Sequence, residues 1–98
     1  MTTRLLIAAA LAAAVVLPTA AAPAYPPITC GRISHNGKPF VVRTHGPSCS
    51  FALKWSRAFA ARHRAPSGFR CRAYGAAVPV QCVNRRHRTS YFSATQAS

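Results

Sequence analysis

The sequence predicts a small α+β domain stapled by disulfides, with an N-terminal β-hairpin, one amphipathic helix and a C-terminal three-stranded antiparallel meander. Three observations carry that expectation. The 98-residue chain contains an even set of four cysteines, Cys30, Cys49, Cys71 and Cys82. Apolar residues recur at helical spacing over one stretch, from about Cys49 to His63. On both sides of that stretch the period shortens to two, the repeat of a half-buried strand.

A different kind of segment precedes the domain. Arg4 stands before an uncharged apolar run from Leu5 to Leu17, Pro18 breaks that run, and small residues follow. This is the order of a secretory signal peptide, expected over residues 1–24 and removed on export. Cleavage after Ala24, on the small-x-small pattern Ala22-Pro23-Ala24, is favoured. Cleavage after Ala22 would leave Pro23 next to the cut. The run is shorter than the roughly 17–25 residues of a spanning helix, and no cysteine stands directly after it to carry a lipid. The expected product is one secreted domain over residues 25–98.

Tyr25-Pro26-Pro27 is an extended lead-in to two β-prone runs, Ile28–Ser34 and Phe40–Thr44. Between them lies Asn36-Gly37, a hairpin signal because both residues tolerate positive φ. Gly46-Pro47 ends the second run, and Ser48 offers an N-cap hydroxyl to the helix. On that helix Cys49, Ala52, Trp55, Ser56, Phe59 and Ala60 share one arc, while Lys54, Arg57, Ala61 and Arg64 lie opposite. Arg62, His63 and Arg64 suit the negative end of the helix dipole, and Pro66 and Gly68 stop the helix. Phe69, Cys71 and Ala73 then alternate with Arg70, Arg72 and Tyr74. A loop at 75–77, a strand Val78–Val83, a basic turn at 84–87 and a strand Thr89–Ser93 complete the meander. Residues 94–98 read as a frayed polar tail.

Four cysteines allow three pairings. Cys30–Cys49 with Cys71–Cys82 is favoured, because each pair joins neighbouring elements. On the loop-entropy model each ring is worth about 3 kcal/mol. Such staples are what a chain too short for a large core requires. No C-x₂₋₄-C pair is present, which argues against zinc. No metal or cofactor is expected.

Thr29-Cys30-Gly31-Arg32-Ile33, Phe40-Val41-Val42 and Gly46-Pro47-Ser48-Cys49 followed by Ala52 form a frame. Phe69-Arg70-Cys71, Cys82 and Tyr91-Phe92 complete it. This frame resembles small exported two-disulfide proteins of actinobacteria, especially mycobacteria. The resemblance spans most of the domain and rests on disulfide and turn positions. It implies a secreted two-disulfide α+β domain and carries over no catalytic residue.

Charge narrows the function. The chain holds 13 Lys+Arg and 0 Asp+Glu. Carboxylate-pair glycosidases, aspartic proteases, acid-completed triads and oxygen-rich Ca²⁺ or Mg²⁺ sites are therefore excluded. No side-chain ion pair can form, so every cation faces water or an outside anion. From Lys54 to Arg88 the chain carries nine of the thirteen. Lys54, Arg57, Arg70, Arg72, Arg85, Arg86 and Arg88 are the candidate anion-binding residues, with Tyr74 and Tyr91 interleaved. Arginine forks suit phosphate and carboxylate. A non-enzymatic protein that binds an anionic polymer or membrane surface is the leading expectation. Nucleic acid would bind such a surface in vitro, but export points to envelope polymers or lipid headgroups instead. A protein-binding effector or inhibitor acting through the 75–79 loop is a second class. A ribonuclease using a pair among His35, His45, His63 and His87 is a remote third.

Overall fold

The computed structural model describes residues 26–97; residues 1–24, expected to be a signal peptide, and the expected cleavage points lie outside them. In chain order the elements are β1 (Ile28–His35), β2 (Lys38–His45), α1 (Cys49–Arg62), β3 (Phe69–Arg72), β4 (Val80–Asn84) and β5 (Tyr91–Gln96). Asn36 and Gly37 take positive φ (54° and 77°) at the β1–β2 turn, the geometry a two-residue hairpin needs. No helix among the described residues is long and apolar enough to cross a membrane.

The hairpin and the meander are not separate sheets. They join through β2 and β5, paired antiparallel from Phe40↔Gln96 to His45↔Tyr91. The result is one five-stranded antiparallel sheet in the order β1-β2-β5-β4-β3. The expected meander is present as β3-β4-β5, but it forms part of a larger sheet.

The expected frayed tail needs correction. β5 starts two residues later than Thr89 and ends at Gln96, so residues 94–96 belong to the sheet. Ala94 is fully buried, Gln96 N–H donates to Ala77 O (2.8 Å) and Ala97 N–H donates to Pro39 O (3.1 Å). A small residue such as Ala94 contributes little to a hydrophobicity pattern, yet it lies on the core face of the sheet between Val42 and Val80. The β4–β5 turn runs correspondingly longer. Asn84 Oδ1 accepts from the Arg86 and His87 amides (2.9 Å each), and Ser90 N–H donates to His87 O (2.8 Å). β4 likewise begins at Val80, not Val78, because residues 74–78 close a turn through Tyr74 N–H to Val78 O (2.8 Å).

Ser48 caps α1 by accepting from Phe51 N–H at 3.2 Å. The helix ends one residue early, with His63 in the left-handed conformation (φ 56°, ψ 36°) and its N–H bonded to Phe59 O. The helix covers one face of the sheet only. Ile33, Phe40, Val42, Val80, Cys82, Phe92 and Ala94 meet Ala52 and Phe59 in the core, with Phe51, Trp55 and Phe69 packed around them. Phe51 meets Phe92 edge-on at 5.9 Å and Phe69 meets it at 5.6 Å, favourable aromatic arrangements.

The disulfides link Cys30 to Cys49 and Cys71 to Cys82. Cys71 and Cys82 are directly opposed on β3 and β4. The β1–β2 register shifts between Thr29 and Gly31, so Cys30 is the extra residue of a bulge. That bulge carries the cysteine out of the strand alternation to the helix N-terminus, with a Cα–Cα distance of 5.2 Å.

Candidate anion-binding surfaces

The helix-free face of the sheet follows directly from the strand alternation. If Phe40, Val42, Phe92, Ala94, Val80 and Cys82 point to the helix, the residues between them point away. The registers then form rows across the open face. Arg43 stands opposite Ser93, Ser93 opposite Gln81, and Gln81 opposite Arg72. The neighbouring row runs His45, Tyr91, Val83 and Arg70. Arg72 and Arg70 therefore end the two rows at the β3 edge, and Arg43 stands at the β2 end of the first, with uncharged side chains between.

At the β3 edge the face becomes concave. Arg70, Arg72, Arg85 and Arg88 line a hollow of about 450 Å³ together with Tyr74, Gln81, Val83 and Asn84. The turn chemistry selects among the basic residues. Arg85 N–H is tied to Gly68 O at 2.9 Å, and Asn84 Oδ1 holds the Arg86 and His87 amides. This arrangement leaves Arg85 and Arg88 on the hollow and Arg86 off it. The exposed ring of Tyr74 stands beside the four guanidiniums.

Lys54 and Arg57 are elsewhere. They line a second hollow of about 460 Å³ on the outer side of α1, shared with Trp55, Arg62 and Arg64. Lys54 Nζ sits 5.3 Å from the centre of the Trp55 ring, a cation–π contact. Trp55 is half-buried, between core and surface. The seven candidates thus divide: four on the sheet hollow, two on the helix, and Arg86 on neither.

Sequence reasoning left out Arg32 and Arg43. Both are exposed on the open face, where Arg32 pairs with Val41 and Arg43 Nη1 donates to Thr95 Oγ1 (3.2 Å). The signal was present, since Arg43 alternates with Val42 and Thr44. Arg62 and Arg64, left out of the candidate set, join Lys54 and Arg57 on the helix side.

The histidines separate. His45 stacks on Tyr91 (5.6 Å, 17° between rings), with Nδ1 2.6 Å from Thr89 O. His87 is exposed in the β4–β5 turn. His35 and His63 line a third hollow of about 290 Å³, with Lys38 also on its wall. Each packs against a core aromatic, His35 on Phe40 (6.2 Å) and His63 on Phe59 (5.2 Å). The 75–79 loop presents small side chains at 75–77, while Pro79 is buried. Among the described residues no cluster of three or more potential metal ligands occurs, and all four cysteines are in disulfides.

Both basic surfaces can hold an anion with several guanidinium forks at once, and no side-chain carboxylate competes for those forks. Comparison with known proteins gives no relative to lean on: no protein-family model, no curated protein and no solved structure matches the chain.

Proposed function

We propose that this is a secreted, non-enzymatic protein that binds phosphate- or carboxylate-bearing surfaces, envelope polymers or lipid headgroups, through its arginines. One observation carries the reading: Arg70, Arg72, Arg85 and Arg88 converge on a single hollow of about 450 Å³ in a chain without acidic side chains. Their mutual repulsion is unrelieved within the protein, and an outside polyanion relieves it. Two disulfides fit an oxidising compartment, where such surfaces are what an exported cation meets. Without an Asp or Glu side chain the chain lacks the usual partner that orients a catalytic imidazole.

The test is co-sedimentation of the oxidised protein with anionic vesicles, neutral vesicles and an insoluble acidic polysaccharide. Salt is set at about 0.05 and 0.5 M, where screening lengths differ severalfold. Binding to anionic targets at low salt is expected, weakened at least tenfold by R70S/R72S/R85S/R88S and little changed by R86S. Equal binding by the quadruple variant would sink the assignment.

A second reading, metal-free acid–base cleavage of RNA, draws support from His35, His63 and Lys38 sharing one hollow. It requires RNA cleavage with a bell-shaped pH profile, lost in both H35A and H63A. Cleavage that survives in either variant removes it.

A further inference from the structure

The two basic hollows lie on opposite sides of the molecule. Arg70, Arg72, Arg85 and Arg88 belong to the helix-free face of the sheet. Lys54, Arg57, Arg62 and Arg64 belong to the side of α1 that points away from the sheet. Between them lie the apolar core and a helix about 10 Å across. That separation exceeds the Debye length of about 8 Å at physiological salt, so each surface attracts anions independently.

We propose that the protein bridges two anionic lipid bilayers, one against each face. The inference rests on the surface-binding reading above and adds bivalency and a lipid partner to it. Charge complementarity argues for an anionic partner on both sides, since no acidic side chain exists to make either face attractive to a cation. The aromatic residue in each hollow argues for a lipid interface. Trp55, half-buried beneath Lys54, and Tyr74, exposed beside Arg70 and Arg72, pair an apolar ring body with a polar tip among cations. Such rings settle at the boundary between headgroups and acyl chains. A protein with one basic face coats a vesicle, and one with two opposed faces ties vesicles together.

The experiment uses oxidised protein and vesicles of phosphatidylglycerol in phosphatidylcholine, read by both co-sedimentation and turbidity. Vesicles are expected to cluster at intermediate protein-to-lipid ratio and to redisperse in protein excess, when each vesicle is fully coated. Both R70S/R72S/R85S/R88S and K54S/R57S/R62S/R64S should still sediment with vesicles at low salt, at least tenfold more weakly than the unaltered protein, and lose clustering. Circular dichroism of each variant establishes that the fold is retained. Binding by the unaltered protein without clustering would overturn the bridging while leaving surface binding intact. Absence of binding would remove both. Clustering by either one-face variant would refute two-face bridging, because self-association would then supply the second contact. Precipitation of heparin or polyphosphate without clustering of vesicles would refute the lipid partner.

Discussion

Gly46, at the corner between β2 and α1, offers a quantitative test of how the sheet is closed. Its φ is +107°, a conformation that L side chains rarely adopt. A Cβ added there would lie 2.7 Å from Ser90 Oγ, 3.1 Å from Ser90 Cβ and 3.4 Å from Ser90 Cα. Two costs therefore combine in Gly46→Ala. The backbone term is about 1–2 kcal/mol, and crowding against Ser90 adds roughly 1–2 kcal/mol, for a total near 3 kcal/mol. Gly75 provides the control, because its φ is +92° but nothing lies within 4 Å of an added Cβ. Gly75→Ala should show only the backbone term, about 1–2 kcal/mol. For a domain of this size 1 kcal/mol moves Tm by roughly 4–8 °C, so Gly46→Ala should melt about 12–24 °C lower. The assay is thermal and urea unfolding of oxidised protein followed by circular dichroism. A double-mutant cycle with Ser90→Gly isolates the crowding, and a coupling of about 1–2 kcal/mol is expected. Equal losses at Gly46 and Gly75, or zero coupling to Ser90, would refute the close approach of the β2–α1 corner to the start of β5.

Three further outcomes are expected from the same unfolding measurements. Replacing Cys30 and Cys49 by Ser should cost about 3 kcal/mol, as should replacing Cys71 and Cys82, and full reduction should abolish the folded circular dichroism signal at neutral pH; a reduced protein with an unchanged spectrum would show that core packing suffices. Ser56 is fully buried on the core side of α1, and its hydroxyl has no hydrogen-bond partner. Ser56→Ala should therefore be neutral or stabilising by up to about 1 kcal/mol, and a marked loss would indicate that the hydroxyl is satisfied. His63 holds a left-handed helix cap with a side chain that disfavours it. His63→Gly should raise stability by about 0.5–1 kcal/mol, and a lower Tm would mean that the Phe59 ring contact outweighs the strain.

Much of the fold is legible in short-range chemistry. Asn36-Gly37 announces the hairpin, Ser48 the helix start, and the arc of Ala52, Ser56 and Phe59 the buried side of α1. The alternation of Phe69 and Cys71 with Arg70 and Arg72 gives both the core face of β3 and two residues of the candidate site. Each is a local rule of backbone conformation or side-chain period, and such rules act over a few residues. The seam between β2 and β5 is different. It joins Phe40 to Gln96 across most of the domain, and neither strand carries a mark that names the other. The end of β5 is illegible in the sequence for the same reason: Ala94 is buried because of what packs around it in space, not because of its neighbours in sequence.

The candidate site divides along the same line. The chain alone determines that cations have no acidic partners and that cysteines come as an even set, because composition needs no coordinates. Only the tertiary structure decides which cations act together. Arg70 and Arg88 share one hollow because β3, β4 and the Asn84-capped turn fold against each other. Lys54 is no further along the chain from Arg70 than Arg88 is, yet it lies on the other side of the molecule because α1 packs on one sheet face only. Electrostatic cooperation depends on distance through space and on the layer that intervenes, and neither quantity exists until the layers have packed.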